Sequence, residues 1–379
     1  MSQSVPPFLP VAEPDLGPLE EQYILDALRS GWVSSIGTYI KRFEDSFAAF
    51  CGVSHGVAVS NGTVAIHLAL CAAGIGPGDE VIIPALTFVA TAAAVRHAGA
   101  EPVFVDSEPE IGTMDPAAVE RAIGPRTKAI IPVHLYGHPA DMDPILEIAS
   151  ARNLILIEDA AEAHGAKYKG RAVGSMGHMS TFSFYGNKIL TTGEGGMVVT
   201  NNANLAGRLR FLKDHAMDPN RRYWHPEVGY NYRMTNLQAA MGCAQLERFE
   251  ELCAKRQRVV NLYREAFAGS DVTINPAMPW AEPVPWLVCT LLPEGTAREW
   301  RDDLMAKLKA AGIDSRPYFH LLCDMPPYHD FRRVGKEEEA LPGAEDLSAR
   351  GMNLPSLGSL VRADIQRVSR SFSGKALMR

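Results

Sequence analysis

The chain from about residue 55 to residue 200 alternates short apolar runs with amphipathic stretches. Seven runs have the length and the β-branched or aromatic content of buried strands, namely HGVAVS, EVIIP, EPVFVD, KAIIPV, LILIED, TFSFY and GMVVT. Between the first five runs lie stretches with helical spacing. Two of these, TVAIHLALCAAG and TFVATAAAVRHAG, close with a glycine, which favours the end of a helix. The pattern predicts an α/β fold.

Strands that are apolar along their whole length indicate a sheet covered by helices on both faces. We therefore predict a mostly parallel seven-stranded sheet between helices. In such sheets, ligands bind beyond the carboxyl ends of the strands. Polar groups at strand ends, such as Asp106, Asp159 and the SNGT segment after HGVAV, are candidates for a site. Each of them is equally suited to a turn or a helix cap.

The chain changes character after residue 235. One long amphipathic stretch, TNLQAAMGCAQLERFEELCAKRQRVVNLYREAF, predicts a helix, and the proline-rich segment NPAMPWAEPVPW and a mixed region follow it. A chain of 379 residues usually forms more than one domain. We predict a large domain over residues 1–245 and a smaller C-terminal α+β domain over residues 246–379.

Composition narrows the class of protein. Apolar residues make up 46% and charged residues 21%, as in soluble enzymes. A net charge of -7 gives no general attraction to nucleic acid or an anionic membrane, so neither is expected as a partner. The N-terminus lacks a basic stretch before an apolar run, and no segment reaches the roughly 20 apolar residues of a membrane span. We expect a cytoplasmic protein with reduced cysteines, since its six cysteines form no C-x-x-C pair.

The segment IEDAAEAHGAKYKGRAVGSMGHMSTFSFYGNKILTTGEGGMVV combines an acid at a strand end, a serine, a lysine and a glycine-rich turn. One kind of cofactor uses all of them. A pyridine ring that stores electrons needs a buried carboxylate beside its nitrogen, and Asp159 is suited to this. An aldehyde needs a lysine with a lowered pKa. A phosphate needs hydroxyls and free N–H groups at a helix start, which SNGT can offer, although SNGT alone is also a common helix cap.

Six ordered segments resemble the DegT/DnrJ/EryC1/StrS sugar aminotransferases, a branch of the fold-type I pyridoxal-phosphate enzymes. They are SNGTVAIHLAL, PALTFVATAAA, PVHLYGHPADM, EDAAEAHGAKYKG, SFSFYGNKILTTGEGGM and GYNYRMTNLQAAMG. The resemblance extends over nearly the whole chain. It implies the fold-type I architecture, with pyridoxal 5'-phosphate as a cofactor that cycles through pyridoxamine phosphate.

The resemblance also implies roles for single residues around the cofactor. Lys188 would carry it as a Schiff base, whereas Lys167 and Lys169 are surface alternatives. Asp159 would pair with the pyridine nitrogen. Phe88 would stack on the ring, although without the resemblance it would be taken as a core residue.

The resemblance also implies contacts to the cofactor's 3-hydroxyl and phosphate. Glu162 stands where most relatives have glutamine near the cofactor's 3-hydroxyl, and an acid there can adjust protonation of the cofactor. Ser183 and the N–H groups of Gly62 and Thr63 would hold the phosphate. Asn231, in GYNYR, would reach the same phosphate from a second subunit. The resemblance therefore implies a homodimer with a shared active site.

For the substrates, the resemblance implies L-glutamate as amino donor and a nucleotide-linked 4-keto-6-deoxy sugar as acceptor, most specifically GDP-4-keto-6-deoxymannose, in the synthesis of O-antigen. Arginines suit a diphosphate and aromatic rings suit a sugar or base, although an ordinary surface loop has the same composition. The candidate substrate contacts are Trp32, Arg221, Arg222, Tyr223, Trp224 and His320. One departure is Cys323, where close relatives usually carry histidine, so a contact near the sugar is in question.

Alternatives remain open at this point. The acceptor could be another nucleotide ketosugar, or the protein a pyridoxamine-dependent sugar dehydratase, although that activity replaces the lysine with histidine. A non-catalytic homologue is disfavoured by the intact set of Asp159, Ser183 and Lys188. His134 and His138 have the spacing of metal ligands, but Gly137 favours a turn between them, so no metal is expected.

Overall fold

The computed structural model describes residues 7–335 and 339–372, in which the chain forms twelve α-helices and fifteen strands. The helices are α1 (Pro18–Arg29), α2 (Thr38–Cys51), α3 (Gly62–Ala72), α4 (Ala90–His97), α5 (Pro116–Ala122), α6 (Met142–Ala151), α7 (Ala203–Lys213), α8 (Asn236–Glu247), α9 (Phe249–Ala266), α10 (Arg298–Ala310), α11 (Pro342–Arg350) and α12 (Arg362–Arg370). Residues 1–6, which are part of the N-terminal stretch considered above, and residues 373–379 of the predicted second domain lie outside the described residues.

The strands are short and most of them are buried. They are β1 (His55–Val59), β2 (Glu80–Pro84), β3 (Glu101–Val105), β4 (Thr127–Ile130), β5 (Ile155–Asp159), β6 (Lys167–Tyr168), β7 (Arg171–Ala172), β8 (Met179–Ser183), β9 (Gly196–Thr200), β10 (Thr273–Ile274), β11 (Ala281–Glu282), β12 (Val288–Leu291), β13 (Arg316–Pro317), β14 (Arg333–Val334) and β15 (Gly351–Leu354). Among them are all seven strands that the apolar runs predict.

The large sheet has the order β1-β9-β8-β5-β4-β2-β3-β14. Its pairs are parallel except that β9 runs antiparallel to β1 and β8. The mostly parallel α/β sheet is therefore confirmed, with one addition. The eighth strand, β14, is only two residues long and comes from the C-terminal part of the chain, so it lacks a recognisable apolar pattern.

The order of the strands brings distant segments to one edge of the sheet. Strands β1, β5 and β8 run in the same direction, and their carboxyl ends are Val59, Asp159 and Ser183. The SNGT segment follows β1 and begins α3, which packs against β8 and β9. This edge therefore combines Asp159, Ser183 and the SNGT segment. Asp106 instead accepts hydrogen bonds from the N–H groups of Gly343 and Ala344 at the start of α11, so it is a helix cap.

The predicted long helix is in fact two helices, and here the sequence interpretation was wrong. Helix α8 ends at Glu247 and α9 begins at Phe249. Arg248 lies between them, with φ −94° and ψ 4°, outside regular helical geometry. Its guanidinium binds Asp15 at 2.7 Å and Glu20 at 2.8 Å. Because these acids come from the N-terminal segment, a local helical pattern does not reveal the break.

The C-terminal part contains an antiparallel sheet of order β10-β12-β15-β13, which packs against α9 and α12. The N-terminal segment joins this part, since Leu9 bridges to Ile313. The domain boundary at residue 245 stays a prediction. No helix in the described ranges is both long enough and apolar enough to cross a membrane.

Candidate active site

Asp159 ends β5 with its carboxylate buried at the sheet edge. It accepts hydrogen bonds from the Thr91 hydroxyl at 2.7 Å and from the Ala161 N–H at 3.2 Å. Burial raises the pKa of Asp159, and the bond from Thr91 opposes that rise. A buried carboxylate of this kind is stabilised in its charged form by contact with a cation. Asp159 is therefore suited to pair with a protonated ring nitrogen.

Lys188 lies in the turn that follows β8, where its N–H donates to the Tyr185 carbonyl at 2.9 Å. Its amine Nζ is 3.5 Å from Glu162 Oε1 and 3.6 Å from the centre of the Trp286 ring. Burial lowers the pKa of Lys188, against the opposing charges of Glu162 and Asp159. A lysine with a lowered pKa has more of the neutral amine, which is the form that attacks a carbonyl.

Glu162 links Lys188 to a strained turn of the backbone. Its Oε2 accepts a hydrogen bond from the Tyr136 N–H at 2.7 Å. Tyr136 has φ +51°, a left-handed conformation that is unusual for a residue other than glycine. Burial raises the pKa of Glu162, and the nearby Lys188 opposes this rise. Carboxyl and amine are thus both shifted toward their neutral forms by the same apolar surroundings.

The two histidines of HLYGH make hydrogen bonds within the chain. His134 Nδ1 accepts from the Ala140 N–H at 3.0 Å, and its Nε2 is 3.1 Å from the Glu158 carboxylate. His138 Nε2 accepts from the Met278 N–H at 3.1 Å, and its Nδ1 donates to the Pro139 carbonyl at 2.7 Å. As Gly137 predicts, this segment is a turn, and it positions the N–H that binds Glu162.

The start of α3 and the end of β8 form a cradle for an anion. Asn61 caps the helix by accepting the Val64 N–H at 3.0 Å, while helix geometry leaves the N–H groups of Gly62 and Thr63 without an intrahelical acceptor. A Cβ at Gly62 would lie 2.7 Å from Ser183 Cβ. Only glycine therefore permits the close approach of the helix start to Ser183. N–H groups, a serine hydroxyl and a helix N-terminus together suit a phosphate.

Phe88 lies three residues before Thr91, and 53% of its surface is exposed. The interpretation of Phe88 as a core residue is therefore wrong. Its ring is 5.7 Å from that of Phe319, which stacks on Tyr136 at 5.2 Å. Tyr136 in turn stacks on Trp286 at 6.0 Å. A row of four aromatic rings thus extends from Phe88 to Lys188.

The remaining predicted residues lie at the surface of the single chain and contact their own loops. Arg221 packs over Trp224 at 3.9 Å, and Arg222 over Tyr223 at 4.9 Å. Asn231 accepts a hydrogen bond from Arg233 at 3.1 Å. Within the described ranges, these five predicted residues make no hydrogen bond or ion pair with Lys188 or Asp159.

Trp32 and His320 lie on other surface segments. The Trp32 ring is 58% exposed, and its carbonyl accepts from Asn236 Nδ2 at 2.7 Å, so the start of α8 holds the loop that carries it. His320 is exposed and follows Phe319, with its Nδ1 3.2 Å from Arg298. Cys323 is fully buried in the main core, where burial raises its pKa to about 11. Its thiol therefore offers no exposed surface to a sugar.

Three residues of the site were missed by the sequence interpretation. Thr91 was detectable, because it lies one helical turn after Phe88. Trp286 lies in the proline-rich segment, in which the sequence pattern indicates no functional residue. Tyr136 acts through its backbone, for which side-chain chemistry gives no signal.

Comparisons with known proteins identify relatives of this chain. The chain is 50% identical over 364 residues to the GDP-perosamine synthase of Caulobacter vibrioides, with 96% of each chain covered. It is 44% identical over 366 residues to the GDP-perosamine synthase of Escherichia coli O157:H7, covering 97% of this chain and 98% of that one. The solved structure of S. venezuelae DesV in complex with a ketimine intermediate has a TM-score of 0.87 at 36% identity, covering 97% and 98%.

A family model matches residues 14–373, which is nearly the whole chain. By this match and by its relatives, the chain belongs to the DegT/DnrJ/EryC1/StrS aminotransferase family.

Proposed function

We propose that this protein is a pyridoxal-phosphate-dependent aminotransferase that moves the amino group of L-glutamate to C4 of GDP-4-keto-6-deoxymannose. The observation that carries the reaction type is the buried Lys188, with Glu162 3.5 Å from its amine and Asp159 close enough to act on its pKa. The choice of a GDP-linked sugar is supported by the 50% identity to a GDP-perosamine synthase over almost the full length of both chains.

The residues present fit the cofactor. Pyridoxal phosphate supplies an aldehyde and a protonated pyridine ring that takes up electrons from a bound amine. We infer that Ser183 and the N–H groups of Gly62 and Thr63 hold its phosphate, because a Cβ at Gly62 would fill the space beside Ser183. The buried carboxylate of Asp159 would face the ring nitrogen, and the exposed ring of Phe88 would cover a face of the cofactor.

Lys188 would hold the cofactor between turnovers, and it is the proton carrier of the proposed reaction. Its Nζ takes a proton from Cα of glutamate in the first half of the reaction and delivers one to C4 of the sugar in the second half. The lowered pKa makes the neutral amine available for the first transfer. Glu162, whose raised pKa permits a protonated state, can exchange a proton with Nζ across 3.5 Å. Burial of both groups limits access of water.

The nucleotide sugar would bind through groups that are exposed in the single chain. We propose that Arg221 and Arg222 pair with its diphosphate, and that Tyr223 and Trp224 pack on the sugar or the base. Trp32 and His320 would complete the pocket. Asn231 would reach the cofactor phosphate of the neighbouring subunit in a homodimer. We place this activity in the cytoplasm, where its product would serve the synthesis of O-antigen.

Transfer of labelled nitrogen tests the proposal. Purified protein is loaded with pyridoxal phosphate and incubated with ¹⁵N-glutamate and GDP-4-keto-6-deoxymannose, and the nucleotide sugar is analysed by mass spectrometry. We expect one ¹⁵N atom in the sugar product with the wild-type protein and none with Lys188→Ala. The variant Lys167→Ala is the matched control, because its side chain is half exposed and pairs with Glu282 on the surface.

Other outcomes discriminate between the alternatives. Loss of oxygen from the sugar without gain of nitrogen would indicate a dehydratase and overturn the proposal. Bleaching of the protein by glutamate without a labelled sugar would retain the aminotransferase class and exclude this acceptor. Other nucleotide ketosugars would then be tested in the same assay.

A further inference from the structure

Trp286 is a buried residue from the C-terminal part of the chain that contacts Lys188. It lies two residues before β12, and only 5% of its surface is exposed. The centre of its ring is 3.6 Å from Lys188 Nζ. Nothing in the sequence patterns distinguishes this tryptophan from a core residue of the proline-rich segment.

Two hydrogen bonds fix Trp286 in this position. Its Nε1–H donates to the Asn187 carbonyl at 2.8 Å, so the indole is tied to the residue directly before Lys188. Its own carbonyl accepts from the buried guanidinium of Arg256 in α9 at 2.9 Å. Tyr136 stacks nearly parallel to the ring, with an angle of 21° between the planes. The indole therefore cannot turn away from the lysine without breaking several contacts.

The amine of Lys188 lies between an aromatic face and a carboxylate. Trp286 contacts it on one side, and Glu162 Oε1 is 3.5 Å away. Asp159 also acts on it and favours its charged form, while the charge of Lys188 helps to lower the pKa of His164. An ammonium group is attracted to the face of an indole, and tryptophan gives the strongest such attraction among the aromatic residues. The indole ring accepts no proton. It can therefore hold the Lys188 amine without competing for the proton that the amine carries.

We propose that Trp286 is a positioning residue, whose ring holds the free amine of Lys188 beside Glu162 while that amine is not bonded to cofactor or substrate. This inference rests on the proposed function, in which Lys188 acts alternately as an anchor and as a proton carrier. A lysine side chain has four rotatable bonds and would otherwise sample many positions. The ring limits these positions and keeps Nζ at the place where both proton transfers occur.

The test measures Lys188 in the protein freed of cofactor. Lysines are acetylated with a trace of acetic anhydride across a pH series, and the label on the Lys188 peptide is quantified by mass spectrometry to give the titration midpoint of its amine. Trp286→Leu keeps the site apolar but removes the ring face. We expect its midpoint to be lower than that of the wild type by about half a pH unit or more. Trp286→Phe keeps a weaker ring face, and we expect a smaller decrease.

Trp280→Leu is the matched control, because Trp280 packs on His138 and Tyr168 and does not contact Lys188. Its Lys188 midpoint should equal that of the wild type. Circular dichroism and thermal melting check folding, and if Trp286→Leu is unfolded the comparison of Trp286→Phe with the wild type decides. Midpoints of Trp286→Phe and Trp286→Leu equal to the wild type would overturn the proposal.

The same variants are then loaded with cofactor and assayed for ¹⁵N transfer. We expect Trp286→Leu to lower kcat about tenfold and to change KM for the nucleotide sugar little, since the substrate does not bind through this ring. A shifted midpoint in a protein whose wild type transfers no nitrogen to any nucleotide ketosugar would refute the proposed function while leaving the contact between Trp286 and Lys188 established. An unshifted midpoint in an active enzyme would refute the role of Trp286 alone.

Discussion

The charge of Asp159 is controlled by a neighbour on a different element. Burial raises the pKa of Asp159, and the hydroxyl of Thr91, at 2.7 Å, opposes this rise by donating to the carboxylate. Thr91 is itself buried in α4. Removing the hydroxyl would leave the carboxylate with less support in its charged form, which is the form that the proposed role requires.

We predict that Thr91→Val lowers kcat for nitrogen transfer by about 10- to 100-fold, because a hydrogen bond to a charged group contributes about 1.5–3 kcal/mol. Steady-state kinetics at saturating glutamate checks this, and KM for the sugar should change little. Thr113→Val is the matched control, since the Thr113 hydroxyl is also buried but has no hydrogen-bond partner within the described ranges. Equal activity of both variants would contradict the support of Asp159 by Thr91.

His164 is a second residue whose surroundings control its charge. It is fully buried among the rings of Phe47, Phe182 and Phe184, and neither ring nitrogen has a hydrogen-bond partner among the described residues. Burial lowers its pKa from 6.5 to about 3. Below pH 6.5 the unfolded chain therefore binds a proton at His164 that the folded chain does not, so His164 makes folding less favourable as the pH falls toward 3.

We predict that His164→Phe stabilises the protein, and does so increasingly at low pH. As the pH falls from 6 to 4, the difference in free energy of unfolding between His164→Phe and the wild type should increase by about 1.4 kcal/mol per pH unit. Urea denaturation of cofactor-free protein at several pH values measures this difference. Burial also lowers the pKa of His138, to about 4. Its effect on the pH dependence of unfolding is the same in both proteins and cancels in the difference. A difference that is independent of pH would show that His164 is charged in the folded protein.

At the scale of elements, the approach of α3 to β8 determines the anion cradle. Gly62→Ala would place a Cβ 2.7 Å from Ser183 Cβ and force the helix start away from the serine. We predict that the Kd for pyridoxal phosphate rises about tenfold or more, measured by fluorescence titration of cofactor-free protein.

Gly207→Ala provides the control for this substitution. Gly207 lies inside α7, and a Cβ there would meet no atom within 4 Å. Its Kd should be that of the wild type, and its stability should increase by about 0.5–1 kcal/mol, because alanine favours a helix interior. An unchanged Kd for Gly62→Ala would mean that the phosphate binds elsewhere.

Elements with a strong local pattern were predictable, and those that depend on distant partners were not. All seven apolar runs form strands of the large sheet, and Gly74 and Gly99 follow the ends of α3 and α4 in left-handed conformations. The break between α8 and α9 depends on Arg248 binding acids near residue 15. Strand β14 has two residues and forms only because β3 is there to pair with it.

At the scale of the whole molecule, we propose that a homodimer brings the exposed Asn231 to the cofactor phosphate of the neighbouring subunit. Mixing two inactive variants tests this. Lys188→Ala and Asn231→Ala are unfolded together, refolded and assayed for nitrogen transfer. In a shared site, half of the dimers are mixed and each has one intact site, so we expect about a quarter of wild-type activity.

Native mass spectrometry confirms that mixed dimers form, and each variant refolded alone provides the control. Mixed dimers without any recovered activity would show that Asn231 and Lys188 do not belong to different subunits of one site. Recovery would support the dimer and the role of Asn231 together.

Candidate site residues were predictable from the sequence where they lie in one segment or in a recognisable helix start such as SNGT. Asp159, Glu162, Ser183 and Lys188 fall within 30 residues, and their order and spacing indicated one cofactor. Tyr136 and Trp286 reach the same site from segments 52 residues before and 98 residues after Lys188. Their contribution depends on the path of the backbone and on packing between the two parts of the chain, which no local pattern encodes.

The identity of the cofactor-bearing lysine is the central claim, and borohydride reduction tests it most directly. Protein loaded with pyridoxal phosphate is reduced with sodium borohydride, digested and mapped by mass spectrometry. We predict one phosphopyridoxyl group per chain, on Lys188, and none after prior treatment with glutamate. A label on Lys167, Lys169 or any other lysine, with Lys188 unmodified, would contradict the account.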